Sequence, residues 1–250
     1  MFEELPRFRE GNSFAMIACV HQPNYLPWLG FFAKVAMSDV YVVMDNVQYS
    51  KNTWNNRVKI AGNGDPLWLT VPVRRQGLET LIANVEIDYS RNWVKQHRAT
   101  LEARYGRSSY FKAVCPDVTA ILELRVGRLV ELNTLLIHWV LNACGIETKV
   151  VLGSTLDAVG KASTLLVAQC QAVGATEYIA GQGSVDYEDM DAYGTAAIRY
   201  RRQTFSHPEY PQLGRAQFLS GLSILDALFH LGGQEVGNLL NEHATANGRV

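Results

Sequence analysis

The sequence predicts an α/β fold: a mostly parallel sheet with helices on both faces, Rossmann-like, with a hairpin or lid region inserted in its first half. Three observations lead there. Short apolar runs rich in β-formers recur at 16–20, 40–44, 149–152 and 177–180. Segments with helical periodicity lie between several of them. The first strand, helix and strand fit within residues 16–45, the span of a βαβ unit.

Residues 1–15, "MFEELPRFREGNSFA", read as an extension ahead of a single domain over 16–250. "MIACV" is a buried strand, and Pro27 stands where a helix can begin without an amide hydrogen. "WLGFFAKVAM" continues that helix to about Met37, and "DVYVVMD" is a second buried strand ending at Asp45. From 46 to 110 the alternation breaks. This stretch has a turn at Gly62–Gly64, a strand in "PLWLTVPV" followed by Arg74 and Arg75, and another strand in "ANVEIDY". Ser90 is placed to cap a helix reaching Tyr105, with Trp93, His97, Leu101 and Tyr105 on one face. A longer helix is expected over 117–143, with Leu129, Leu132, Leu136, Trp139 and Val140 in its stripe and Gly145 as its stop. "TKVVLG" is a strand, Ser163 caps a helix to Gly174, and "TEYIAG" is a strand ending at Gly181. "TAAIRYRRQTF" alternates like a strand with one exposed side, and the last helices split at Gly232–Gly233.

The 250 residues are 48% hydrophobic and 19% charged, with a net charge of −1. This is the composition of a water-soluble domain. The balance argues against a general electrostatic grip on nucleic acid, which needs a clustered basic surface. No run reaches the ~18 apolar residues of a membrane span. The charged N-terminus does not read as a signal peptide, so the expected location is the cytoplasm. Cys19, Cys115, Cys144 and Cys170 lie far apart without zinc spacing, which suits free buried thiols and gives no metal site. Strand alternation puts Cys19 on the same side as His21.

Ligands of open α/β sheets bind outside the carboxyl ends of the strands. His21, Asp45, the Arg74–Arg75 pair and the Gly181–Gln182–Ser184 stretch all follow predicted strands. His21 is the general-base candidate because imidazole titrates near neutrality. Asp45 is the residue to orient it or to bind an amine or metal. Gln22 can read an amide or hydroxyl, and Tyr25 and Trp28 supply flat apolar surface with a polar tip. In "YSKNTWNNRVKI", Lys51, Asn56 and Arg57 surround Trp54, a set suited to an anionic or carbohydrate-like ligand. "FSHPEYPQ" offers His207 as a second acid/base residue, beside Tyr210. Each has a purely structural alternative: a hydrogen-bonded strand-end histidine, a salt bridge, a solvated hairpin, a rigid proline loop.

The motifs "HQPNYLPWLGFFAK", "DNVQYSKNTWNNRVKI", "WLTVPV", "EYIAGQGSVDY" and "FSHPEYPQ", in this order over about residues 16–232, resemble the WbqC-like protein family. The resemblance implies bacterial polysaccharide or secondary-metabolite biosynthesis. It also implies an acyl or aminoacyl, glycyl-type, transferase acting on an amine such as that of an amino sugar. The partners would be a small-molecule substrate and an acyl-carrier protein or other activated acyl donor. Tyr187, which closes the fourth motif, joins Ser184 as a substrate-binding candidate. The opening strand, turn and helix are also similar to HIGH-type nucleotidylyltransferases. Here the turn reads "PNYLPWLG" and lacks both turn histidines. A nucleotidylyl or adenylate-forming transferase is therefore the second hypothesis, and a non-catalytic carbohydrate- or carrier-binding protein the third. No particular cofactor follows from the residues.

Overall fold

A computed structural model describes residues 15–62, 65–75, 77, 79–183, 188–214 and 216–248. Residues 1–14 of the expected N-terminal extension and the tip of the 62–64 turn lie outside the described residues, as do Ser184 and Tyr187. The central sheet is formed by β1 (Ile17–His21), β2 (Val40–Val43), β5 (Lys149–Leu152), β6 (Glu177–Ala180) and β7 (Arg199–Arg202). Its order is β5-β2-β1-β6-β7 and every pair is parallel. The chain thus winds outward from β1 to one edge, returns, and winds outward again from β6. The winding reverses between β1 and β6, the place where doubly wound folds open a crevice.

Side-chain alternation assigns the two faces of the sheet. Cys19, Tyr41, Val43 and Ile179 enter the larger core with α1 (Leu29–Ala36). Ala18, Val20, Val40, Val42, Tyr178 and Ala180 enter a smaller core with α5 (Ser163–Ala172), next to α6 (Met190–Thr195). The α1 helix is buried over its whole length, which explains its near-uniform apolar sequence. Helices therefore cover both faces, as the sequence predicts.

Between β2 and β5 the chain inserts the antiparallel hairpin of β3 (Arg57–Ile60) and β4 (Leu67–Thr70), then α2 (Trp93–Tyr105), α3 (Phe111–Glu123) and α4 (Leu129–Ala143). These helices are not a detached lid. Trp93, Leu101, Tyr105, Leu122, Leu136 and Val140 share one core with Phe32 of α1 and Phe229 of α7 (Ile224–Leu231). The last helix is α8 (Gly233–Ala246), broken from α7 at Gly232, whose φ is +81°.

Five expectations are corrected. "ANVEIDY" forms a short 3-10 turn (Ile82–Asn84) and isolated bridges from Glu86 to Arg128 and from Ile87 to Val73. The 117–143 helix is two helices, α3 and α4, parted by Leu124–Arg128, with Arg125 at φ +51°. The α2 cap is Asn92, whose side chain accepts from the Lys95 N–H, not Ser90. Ser163 is the first residue of α5 and its hydroxyl accepts from the Asp189 N–H. Because β4 belongs to the separate hairpin, Arg74 does not face the central edge; it pairs with Glu86 at 3.1 Å.

Candidate functional site

The loop between β1 and α1, residues 22–28, is tied down through its backbone. The Pro23 carbonyl accepts from Asn133 Nδ2 at 2.8 Å and from Asn55 Nδ2 at 3.2 Å. Asn133 Nδ2 also donates to the Asn55 carbonyl at 2.8 Å. The Tyr25 N–H donates to the Trp54 carbonyl, and the Ile224 N–H to the Pro27 carbonyl. Ser223 Oγ donates to the carbonyl of Leu26, a buried residue held at φ +44°. A buried loop has to satisfy its backbone groups internally. This one does so with side chains from α4, the hairpin and the residue before α7.

His21 ends β1. Its Nδ1 lies 2.9 Å from the Gln22 carbonyl, which can only accept, so Nδ1 carries the proton and Nε2 keeps its lone pair. The ring meets the edge of Phe31 at 5.2 Å. Burial and the charge of Lys34 push its pKa down to about 3, against the opposing pull of the Gln22 hydrogen bond. His21 is thus a neutral imidazole at any physiological pH. Continuing the β1–β6 register sets His21 beside Gly181. Gln182 follows, and its Nε2 donates to the Phe205 carbonyl at 2.9 Å.

Trp28 closes the same edge. Its indole lies over Gly30, where an added Cβ would come within 2.3 Å of the ring. The Gly30 carbonyl accepts from Gln203 Nε2 at 2.9 Å, which joins α1 to the segment after β7. Trp28 meets Phe205 edge-on at 5.4 Å and stacks against His207 at 6.3 Å. His207 packs on Phe218, and beyond it Tyr210 donates to Asp226 Oδ2 at 2.8 Å. Burial lowers the His207 pKa, so it too favours the neutral form.

A chain of contacts thus runs from His21 and Gly181 through Gln182 and Phe205 to Trp28 and His207, while Tyr210 lies beyond it, buried against Asp226 of α7. Gln22 contributes its carbonyl at His21. Other candidates go elsewhere. Tyr25 is buried inside, with its ring against His97 at 6.1 Å, so it packs the interior instead of walling a cleft. Asp45 sits at the same sheet edge, but its carboxylate accepts from Ser154 N–H at 2.7 Å and Ser154 Oγ at 2.6 Å. That clamp, not His21, is its partner. Asn56 is buried and donates to the Val71 carbonyl within the hairpin. Trp54, 46% exposed, leans on Trp68 at 5.3 Å, with Arg57 over the Trp68 ring at 4.3 Å. Lys51 is exposed on the preceding turn. These residues form a separate aromatic and cationic face on the hairpin.

Sequence reasoning passed over two residues of this region. Lys34 is 3% exposed, with Nζ 3.4 Å from the Val20 carbonyl, and burial lowers its pKa. A lone charge inside the apolar helix "LGFFAKVA" was the available signal. Asp226 is fully buried; its Oδ2 accepts from both Tyr210 and Gln212, and Oδ1 has no partner among the described residues. Among the described residues no three His, Cys, Asp or Glu side chains gather closely enough to hold a metal ion. The four cysteines form no disulfide and are buried. No described helix is long and apolar enough to cross a membrane.

Comparison with known proteins matches the model of the WbqC-like protein family to residues 22–237. The uncharacterized protein Rv1507c of Mycobacterium tuberculosis is 31% identical over 216 residues, covering 85% of this chain and 93% of that protein. No solved structure matches the chain. The family match begins at the pinned loop just after β1 and runs through the other four strands of the sheet, so the chain belongs to the WbqC-like protein family.

Proposed function

We propose that the protein is a transferase that passes an acyl group, aminoacyl in class, from an activated donor to the amine of an amino sugar or secondary-metabolite intermediate. The observation that carries this reading is the fixed tautomer of His21. With its Nδ1 proton on the Gln22 carbonyl, Nε2 is a free acceptor at the crevice between β1 and β6. The amine nitrogen attacks the acyl carbon, the C–N bond forms, and the carbonyl electrons move to oxygen. Nε2 takes the proton that the nitrogen must lose, and gives it to the leaving group, a thiolate for a thioester donor, as the tetrahedral intermediate collapses. A base with a pKa near 3 is weak, but a developing oxyanion beside it raises that pKa toward the working range. Trp28, His207 and Gln182 supply stacking and hydrogen-bonding surface for the acceptor.

The strand order favours a second reading. The crevice between β1 and β6 is where doubly wound folds hold nucleotide phosphates, which suits nucleotidylyl transfer. One experiment separates the two. The protein is incubated with thioester donors and a panel of amino sugars, or with nucleoside triphosphate and magnesium, and products are read by mass spectrometry. An acylated amine whose formation falls about 100-fold or more in His21→Gln supports the proposal. A nucleotidylated product, or full turnover in His21→Gln, rejects it.

A further inference from the structure

Away from the sheet edge, a cleft of about 560 Å³ opens where the start of α2 faces the α3–α4 connection. Its lining includes Arg91, Lys95, Arg98 and Arg125, against a single carboxylate, Glu123. Among the described residues none of these four cations has a carboxylate within ion-pair distance. In a chain of net charge −1, four cations and one anion around one concavity is a strong local departure. The arrangement is also self-repelling. Lys95 and Arg98 are three residues apart on one helix, and like charges at that spacing oppose each other. Arg125 is brought to them from another element and held there. Its guanidinium lies 4.7 Å from the centre of the Tyr89 ring, and Tyr89 Oη donates to the Val126 carbonyl at 3.0 Å.

We infer that this cleft is a binding site for a small molecule bearing a diphosphate or similar polyphosphate group. Three of the four cations are arginines, whose planar forks match phosphate oxygens in pairs. The excess of positive charge over a single carboxylate suits a multiply charged anion better than a lone carboxylate ligand. The positive end of α2 adds to the same field, because the cleft is lined by its cap, Asn92, and by Val94 of its first turn. A further donor lies behind the wall. Trp93, 2% exposed, stacks on Tyr89 at 5.7 Å, and its Nε1–H has no partner among the described residues. The site is distinct from the His21 crevice and does not depend on the function proposed for it.

The test is pyrophosphate binding to the full chain, by calorimetry and thermal melting at constant ionic strength, with chloride and acetate as controls. Saturable binding is expected for pyrophosphate alone, with affinity at least tenfold weaker in Arg91→Gln/Lys95→Gln and in Arg125→Gly. All three positions are exposed, and glycine accepts the φ of +51° at 125, so both variants should fold. Binding in His21→Gln should be unchanged. The inference is overturned if pyrophosphate does no more than chloride or acetate, if both cleft variants bind like the parent, or if binding is lost in His21→Gln instead. Retention of acidic proteins without pyrophosphate binding would overturn it too.

Discussion

Protonating His21 means placing a second positive charge near Lys34 on a desolvated ring. Burial is the larger cost and the Lys34 charge the next. Replacing Lys34 by methionine removes the second cost and leaves the first. The imidazole pKa should therefore rise from about 3 in Lys34→Met and still stay below the ordinary 6.5. Carbon–proton NMR titration of the ring measures this; a parental midpoint near 6.5, or a downward move in the variant, would refute it. The same shift has a consequence for stability. The unfolded chain binds this proton near pH 6.5 and the folded chain only near 3. The contribution of neutral His21 to stability is thus complete above pH 6.5 and erodes as pH falls from 6.5 toward 3. The sequence pointed to this histidine through its place at a strand end. It gave no hint of its electrostatics, because the residue that sets them, Lys34, reaches it only once α1 has folded back on β1.

The ends of the strands behave as clamps as well as site walls. Asp45, just past β2, holds the turn after β5 through two hydrogen bonds from Ser154, and so fixes the outer half of the sheet edge. Hydrogen bonds to a buried charged group are worth roughly 1.5–3 kcal/mol each. Asp45→Ala should cost about 3 kcal/mol in urea denaturation and Ser154→Ala about half that, since the backbone N–H bond survives. Turnover per folded molecule should change little in either. A hundredfold loss in Asp45→Asn with unchanged stability would instead place Asp45 on the substrate. Strands β1, β2 and β6 were legible as short apolar runs because each is buried on both faces or nearly so; β5, a half-buried edge strand, was legible through the apolar run Val150–Leu152. The α3–α4 break was not. Leu122 and Leu129 are seven residues apart, so an apolar stripe runs through the turn in phase, and only Gly127 hints at an interruption. The alternation of "ANVEIDY" was real, but among the described residues the segment makes isolated bridges to Val73 and Arg128 instead of a ladder.

At the scale of the molecule, the site edge depends on three segments far apart in sequence that close on one another: the 22–28 loop, the hairpin entry at 54–59 and the turn into α7. Asn133 of α4 reaches the first two with a single amide, bonding the carbonyls of Pro23 and Asn55. Ser223 then joins the loop to the hairpin, its hydroxyl on the Leu26 carbonyl and its N–H on the Lys59 carbonyl. If these bonds form one cooperative unit, removing the amide should loosen all three segments together. Asn133→Ala leaves the Asn55 carbonyl without this donor and the Pro23 carbonyl with only the longer bond from Asn55, for a loss of about 2–4 kcal/mol. In hydrogen exchange, the amides of Tyr25, Ser223 and Ile224 should speed up by a common factor relative to Val42 in the middle of the sheet. Faster exchange at Tyr25 alone would show that the loop opens independently. In that case the density of prolines and aromatics in "HQPNYLPWLG" would serve only its own turn, and His21 would not inherit its position from the packing of the helical insertion.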